Sequence, residues 1–398
     1  MSSSLNEIVR VAGRGDGVTA DGRHVRLAAP GDMLGDDGLI VPGPHHQQPP
    51  CKHFPECGGC QLQHLDDASW SGFIVDRVRG ALAAQGLEAE IRTPLLSPPN
   101  TRRRATLHAE RRGRQVRFGF TEQNSHTLID IEECWILAPE LFQLVGPLRG
   151  LLAALIPGTR RINVHLVQTN QGRDVLIDGL EAGGLAAAEA ITAFAGRHKL
   201  ARFSIDEGFG PTARWEPEPV AVTLGGVAVP FPPGNFLQAT PEGEAALIAA
   251  VREIVGDARA VADLFAGLGT FTFALPGARV YAAEAARDPI LALKAAATRA
   301  QRVVFADHRD LFRRPLAQSD LGKFDAVVLD PPRAGAREQV AELAASTVPV
   351  VAYVSCNPST FARDAETLCK GGYRLDWVQP VGQFRWSTHV ELAARFSR

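Results

Sequence analysis

Residues 263–271 read Asp263-Leu-Phe-Ala-Gly-Leu-Gly-Thr-Phe271. This is the end of an apolar strand, a glycine-bearing turn and the opening of a helix. Gly267 and Gly269 let the chain turn tightly and bring its backbone close to a ligand. Around this stretch, apolar runs at 260–265, 279–283, 303–306, 326–329 and 349–355 alternate with helical segments. Continuous apolar strands separated by helices predict a parallel sheet covered on both faces. Two more strands, 374–378 and 390–396, follow the last helix with no helix between them and are expected to pair antiparallel at one edge. The C-terminal part is thus expected to be an α/β, Rossmann-like domain.

The chain has 398 residues, 45 % hydrophobic and 22 % charged, with 42 Lys+Arg against 44 Asp+Glu and a net charge of −2. These values exclude a disordered or fibrous protein, and the length suits two or three domains. They also exclude a global positive field, so any site for a polyanion must be a local patch. Six cysteines are too few for a disulfide scaffold: Cys51, Cys57 and Cys60 cluster, while Cys134, Cys356 and Cys369 stand apart. That usage points to metal or catalytic work in a reducing compartment. The N-terminus lacks the pattern of a signal peptide and no run of 18 apolar residues occurs, so a cytoplasmic protein is expected.

Residues 1–44 are Gly-rich, with short β-like runs at 8–11, 24–27 and 39–41, and read as a small β module. Residues 42–50, Pro- and His-rich, read as a linker. Trp70, Ile74, Val78 and Leu82 recur every four residues and predict one face of a helix. Strands are expected at 115–120, 127–131, 162–168 and 174–179, and a helix over the Ala-rich 183–200. Pro211, Pro217 and Pro219 mark a second boundary. The expected domains are 1–44, an α+β central domain over 45–215, and the α/β domain over 216–398.

Ligands of open α/β sheets sit at the carboxyl ends of the strands. There, Glu284 ends the second strand and can accept hydrogen bonds from a ribose. The glycine turn fits either a dinucleotide or S-adenosylmethionine. The absence of a third glycine counts against pyrophosphate, and Asp263 suits a cationic sulfonium. Asp310, or less strongly Asp307, can reach an adenine amine. Asp330-Pro-Pro-Arg333 places a carboxylate at the sheet edge, and Ser355-Cys-Asn-Pro358 places a thiol ahead of a helix N-terminus, whose field favours thiolate.

Together these motifs resemble the S-adenosylmethionine-dependent RNA 5-methyluridine methyltransferases, over nearly the whole chain. The family's Phe-x-Gln motif matches Asn235-Phe-Leu-Gln238. The resemblance implies a class I methyltransferase domain with cofactor contacts at Gln238, Phe265, Glu284 and Asp330, to which the turn adds Gly267. It further implies Cys356 as nucleophile and Glu391, in Ser387-Thr-His-Val-Glu391, as base. Thiolate addition at uracil C6 makes C5 nucleophilic, and a carboxylate then removes the C5 proton. The chain departs from the family at Thr240, where Asn is frequent, and at Gly382-Gln-Phe-Arg385, where many members have Asp-Met-Phe-Pro.

Cys51, Cys57, Cys60 and Cys134 supply four soft ligands for zinc or an iron–sulfur cluster. The run Cys-x5-Cys-Gly-Gly-Cys, continued by Gln63 and His64, resembles the ribosomal-RNA branch of the family and implies a [4Fe-4S] cluster, with His64 a polar neighbour. Seven arginines at 102, 103, 104, 111, 112, 114 and 117, against Glu110 alone, make a basic run suited to phosphate. The 1–44 module resembles a shortened TRAM (OB-like) barrel. The implied reaction is uridine C5 methylation by a monomer acting on a single-stranded segment of 23S ribosomal RNA. The alternatives are the T-loop of tRNA, a non-catalytic RNA-binding protein on an old methyltransferase fold, and a nicotinamide oxidoreductase disfavoured by the glycine pattern.

Overall fold

The computed structural model describes residues 6–113 and 115–398. The N-terminal residues used to exclude a signal peptide, and Arg114 of the basic run, lie outside the described residues.

The C-terminal sheet contains strands β1 (Ala260–Leu264), β2 (Arg279–Glu284), β3 (Val304–His308), β4 (Ala326–Leu329), β5 (Val350–Ser355), β6 (Arg374–Gly382) and β7 (Glu391–Ser397), in the order β3-β2-β1-β4-β5-β7-β6. The first five strands run parallel, and β7 inserts antiparallel between β5 and β6. Burial explains the continuous apolar strands. Ala262, Leu264, Val327, Leu329 and Val351 face one hydrophobic core, while Val261, Val328, Ala352 and Val354 face another. Helix α1 (Pro241–Val255) covers the second face with Leu247, Val251 and Ile254. Thr240 caps α1 by accepting from the Gly243 amide, with Pro241 at its first turn. Short helix α2 (Thr270–Ala274) follows β1, and α3 (Pro358–Lys370) follows β5.

Strand β6 is not the edge. Glu90–Ile91 and Leu95–Leu96 pair parallel with it. The helix Asp67–Ala83 buries Trp70, Ile74, Val78 and Leu82 in the same core as Val340, Phe361 and Leu368. The periodicity at 70–82 was a sound guide to the helix but carried no information about its partner. Residues 60–96, within the stretch read as the central domain, thus contribute to the core and edge of the C-terminal sheet.

The central sheet runs Pro211–Trp215, Leu200–Asp206, Gly172–Asp178, Arg161–Thr169, Arg104–Arg112, Gln115–Gly119. Only Gly172–Asp178 and Leu200–Asp206 are parallel, joined by the helix Leu185–Arg197. Two expectations are corrected here. Residues 127–131 form one isolated bridge, Thr121 to Leu128, and not a strand. Pro211 starts a strand instead of breaking one, at the sheet edge, where a missing N–H is tolerated.

The N-terminal module is a five-stranded antiparallel sheet centred on Asn6–Val11. The stretch read as a linker is tied down: buried Asp32 accepts from the Gly43 amide (2.7 Å) and contacts His46 Nδ1 (2.7 Å). Among the described residues no helix is long and apolar enough to cross a membrane.

Candidate active site

A cleft of about 840 Å³ opens along the carboxyl edge of the C-terminal sheet and runs to the central domain. Volumes of this size accommodate small-molecule ligands. One wall begins at the turn after β1, where Phe265 has φ +65° and Gly267 φ +54°. A Cβ on Gly267 would meet nothing within 4 Å, so the backbone borders open cleft there. The same test at Gly269 finds the Phe273 ring at 2.8 Å, which makes this glycine a packing requirement. Glu284 closes the turn by accepting from the amides of Gly267 (3.0 Å) and Ala286 (2.7 Å), with lone pairs left for a ligand.

Beyond β4, Asp330 sits on the cleft floor, accessible from the cleft but otherwise enclosed by protein. Burial, then the charges of Glu391, Asp263 and Glu284, hold its pKa well above the ordinary carboxylate range. The loop after β5 is locked to it: Asn357 Nδ2 and Thr360 Oγ1 both donate to the Arg333 carbonyl (3.1 and 3.2 Å). Asn357 also caps α3 by accepting from the Ser359 amide. Cys356 is held between these contacts.

Ser355 pairs with Leu392, so the antiparallel register continues to Cys356 opposite Glu391. Both line the cleft. Burial raises Glu391 to about 7, opposed by the Gln383 side chain and by the charge of Arg104. Burial, Glu391 and Asp330 push the Cys356 thiol up to about 11. Burial and the two acids thus act against the thiolate that the helix terminus is expected to favour.

A further stretch of the cleft lining carries Arg102, Arg104, Phe236 and Phe384. The Arg104 guanidinium lies 4.5 Å over Phe236, and that of Arg102 lies 5.5 Å from Phe384. Two other arginines of the run are paired with acids. Arg103 pairs with Glu244 (2.7 Å) and Arg112 with Glu110 (3.0 Å).

A family model described as tRNA (uracil-5-)-methyltransferase matches residues 231–398. An RNA methyltransferase of Zymomonas mobilis is 48 % identical over 99 % of this chain and 100 % of its own length. The 23S rRNA (uracil(1939)-C(5))-methyltransferase RlmD of Pectobacterium atrosepticum is 31 % identical over 90 % of this chain and 82 % of its own. The chain belongs to the RNA uracil-C5 methyltransferase family. It is an S-adenosylmethionine-dependent RNA methyltransferase. The fold agrees: the crystal structure of Pyrococcus abyssi tRNA (uracil-54, C5)-methyltransferase with S-adenosyl-L-homocysteine superposes with a TM-score of 0.77, at 22 % identity, covering 98 % of this chain and 99 % of that one.

In this methyltransferase the cleft gathers Gln238, Phe265, Gly267, Glu284, Asp330, Cys356 and Glu391. Three acidic candidates fall elsewhere. Asp310 is not among the cleft-lining side chains; its carboxylate turns back to the amides of Phe312 (3.0 Å) and Arg313 (3.3 Å). Its neighbours Leu311 and Phe312 reach the cleft instead, with Phe312 5.5 Å from Phe265. Asp307 is occupied by Tyr281 and Arg309. Asp263 lies under the turn, accepts from Thr272 Oγ1 (2.6 Å) and fastens α2 to β1; burial raises it to about 6. No sequence signal separated these roles, because each acid ends or follows a strand in the same way.

The four cysteines Cys51, Cys57, Cys60 and Cys134 line a second, small cavity beside the cleft. Among the described residues no group of three or more His, Cys, Asp or Glu side chains is placed to hold a metal ion. The four thiols nevertheless feel one another's charge, and burial pushes Cys57 up to about 11 and Cys60 to about 12. Gly59 lines both cavities, and its neighbours Gly58 and Gln61 line the cleft.

Proposed function

We propose that this enzyme makes 5-methyluridine in 23S ribosomal RNA through a covalent bond between Cys356 and uracil C6. The observation that carries the reading is Cys356 and Glu391 facing each other in a cleft that also exposes Gln238, Phe265, Glu284 and Asp330. Bound S-adenosylmethionine supplies a methyl group on a cationic sulfur. Glu284 accepts hydrogen bonds from the ribose, and the Phe265–Phe312 pair offers apolar faces to the adenine.

The Cys356 thiol must lose its proton as its sulfur bonds to C6. That proton passes to solvent through the open cleft, which leaves Glu391 ionised. The C5 carbon, made electron-rich, attacks the methyl group. Glu391 then removes the C5 proton, the C6–S bond breaks, and the electron pair returns to sulfur. Arg104 over Phe236 and Arg102 beside Phe384 offer cationic and stacking surfaces to a base displaced from its strand.

Cys51, Cys57, Cys60 and Cys134 are proposed to hold a [4Fe-4S] cluster. The donor set is compatible: all four cysteines line one cavity, together with His53, Gln63 and Glu133. The cluster would staple the 51–60 loop to 134 and hold the cleft wall at Gly58–Gln61. With this module and the open N-terminal sheet read as a shortened TRAM-like unit, the domain reading of 1–44, 45–215 and 216–398 stands as an organisation by role, with the enzyme a cytoplasmic monomer.

Ribosomal RNA is favoured because the relative RlmD bears that substrate in its name and covers most of both chains. The test is methylation of 23S ribosomal RNA and tRNA transcripts with labelled S-adenosylmethionine, followed by mass mapping of the product. Label in a uridine of 23S RNA alone is expected; label in tRNA alone overturns the substrate assignment.

A further inference from the structure

Gln383 directly follows β6 and is 1 % exposed. Its amide orientation is fixed by its partners. The Ala239 N–H donates to Gln383 Oε1 (3.0 Å), so Nε2 is the end that donates to Gln238 Oε1 (2.8 Å). Gln238 lines the cleft, and with its oxygen engaged, the group it offers a ligand there is its own Nε2 donor.

The same amide reaches the proposed base. Val381 pairs with Glu391 across β6 and β7, so Gln383, two residues on, lies on the same face and diagonal to Glu391. From there the Gln383 side chain is near enough to Glu391 to favour the ionised carboxylate. The charged and titratable groups around Glu391 are Asp330 and Cys356 from the loops after β4 and β5, and Arg104 from the central sheet. The space for Gln383 is tightly bounded: a Cβ added at Gly243 of α1 would fall 2.5 Å from the Gln383 Cβ.

We propose that Gln383 is a positioning residue that couples the cofactor pocket to proton removal, one amide setting Gln238 as a donor and steadying the Glu391 carboxylate. It is not a catalytic residue, because it acts through the other two. The inference rests on Glu391 being the base.

The test uses full-length Gln383→Met, which keeps length and removes the amide. In single turnover, the decay of the covalent protein–RNA adduct is followed against pH, a readout that the ionisation of the free Cys356 thiol does not enter. Losing the amide beside that carboxylate is expected to move the acid limb up by about one pH unit, a tenfold loss at pH 6 that recovers above pH 9. S-Adenosylmethionine is expected to bind several-fold more weakly by calorimetry. An unmoved acid limb, or an equal slowing at every pH, overturns the proposal. If Gln383→Met does not fold, Gln383→Glu keeps the shape and adds a negative charge beside Glu391, and the limb must again move up. Glu391→Gln separates the two readings: if it stalls the adduct while Gln383→Met behaves as wild type, the coupling alone fails; if it turns over normally, the assignment of the base fails.

Discussion

Cys356 stands opposite Glu391 across two antiparallel strands, placed there by the pairing of Ser355 with Leu392. Glu391 raises the cost of ionising Cys356. A thiol at about 11 and a carboxyl at about 7 are held together in one cleft. Neither is in its reactive form by default, which ties activity to pH.

The turnover rate should therefore rise with pH through the neutral range. Where removal of the C5 proton by ionised Glu391 limits turnover, kcat is expected to increase about tenfold per pH unit below 7 and to level off above it. Steady-state rates from pH 5.5 to 9 check this, and a maximum near pH 5 would contradict it.

The ligand-free protein should lose stability over the same range. Asp263 at about 6, Glu391 at about 7 and Asp330, also raised, bind protons in the folded state that the unfolded chain has already released. A raised carboxyl pKa favours folding below the unfolded value and loses that benefit as pH climbs through the folded value. Melting temperature is expected to fall between pH 5 and 8, and Asp330→Asn to flatten the fall.

Replacing Cys57 by Ser should remove the cluster and loosen the cleft wall at Gly58–Gln61 without unfolding the C-terminal sheet. Anaerobically purified wild type is expected to carry about four iron atoms and to absorb near about 400 nm. The variant should lose both and bind RNA more weakly. Stoichiometric zinc in the wild type would overturn the cluster assignment.

The central sheet holds a separate test of stability. Arg202 forks onto Asp174 at 3.0 and 2.7 Å, with both side chains buried. Arg202→Met leaves a carboxylate stranded in the core and is expected to cost about 3–5 kcal/mol, measured by urea unfolding.

The parallel strands around 263–271 and the residues Glu284, Asp330 and Cys356 at their carboxyl ends were legible in the sequence because apolar runs fix those ends, whereas Gln238 and Glu391 came only from the family resemblance. What escaped was set by contacts between distant segments. Asp263 and Asp310 resemble ligand-facing acids until Thr272 and the Phe312 amide are seen to occupy them. The two-residue strand Glu90–Ile91 is too short to show a period, and it forms because β6 offers an unpaired edge. The Cys356 pKa depends on carboxylates 26 residues before and 35 after it in the chain. Gln383 looked like a departure from a motif and carried no sign of its bond to Gln238, 145 residues away.

Intact mass of Glu391→Gln after incubation with substrate RNA and S-adenosylmethionine, beside Cys356→Ala, tests the central claim most directly. The account predicts a species of protein plus methylated RNA that survives denaturation in Glu391→Gln, and no such species and no methyl transfer in Cys356→Ala, which should still bind S-adenosylmethionine. Methylation by Cys356→Ala at the wild-type rate would contradict it.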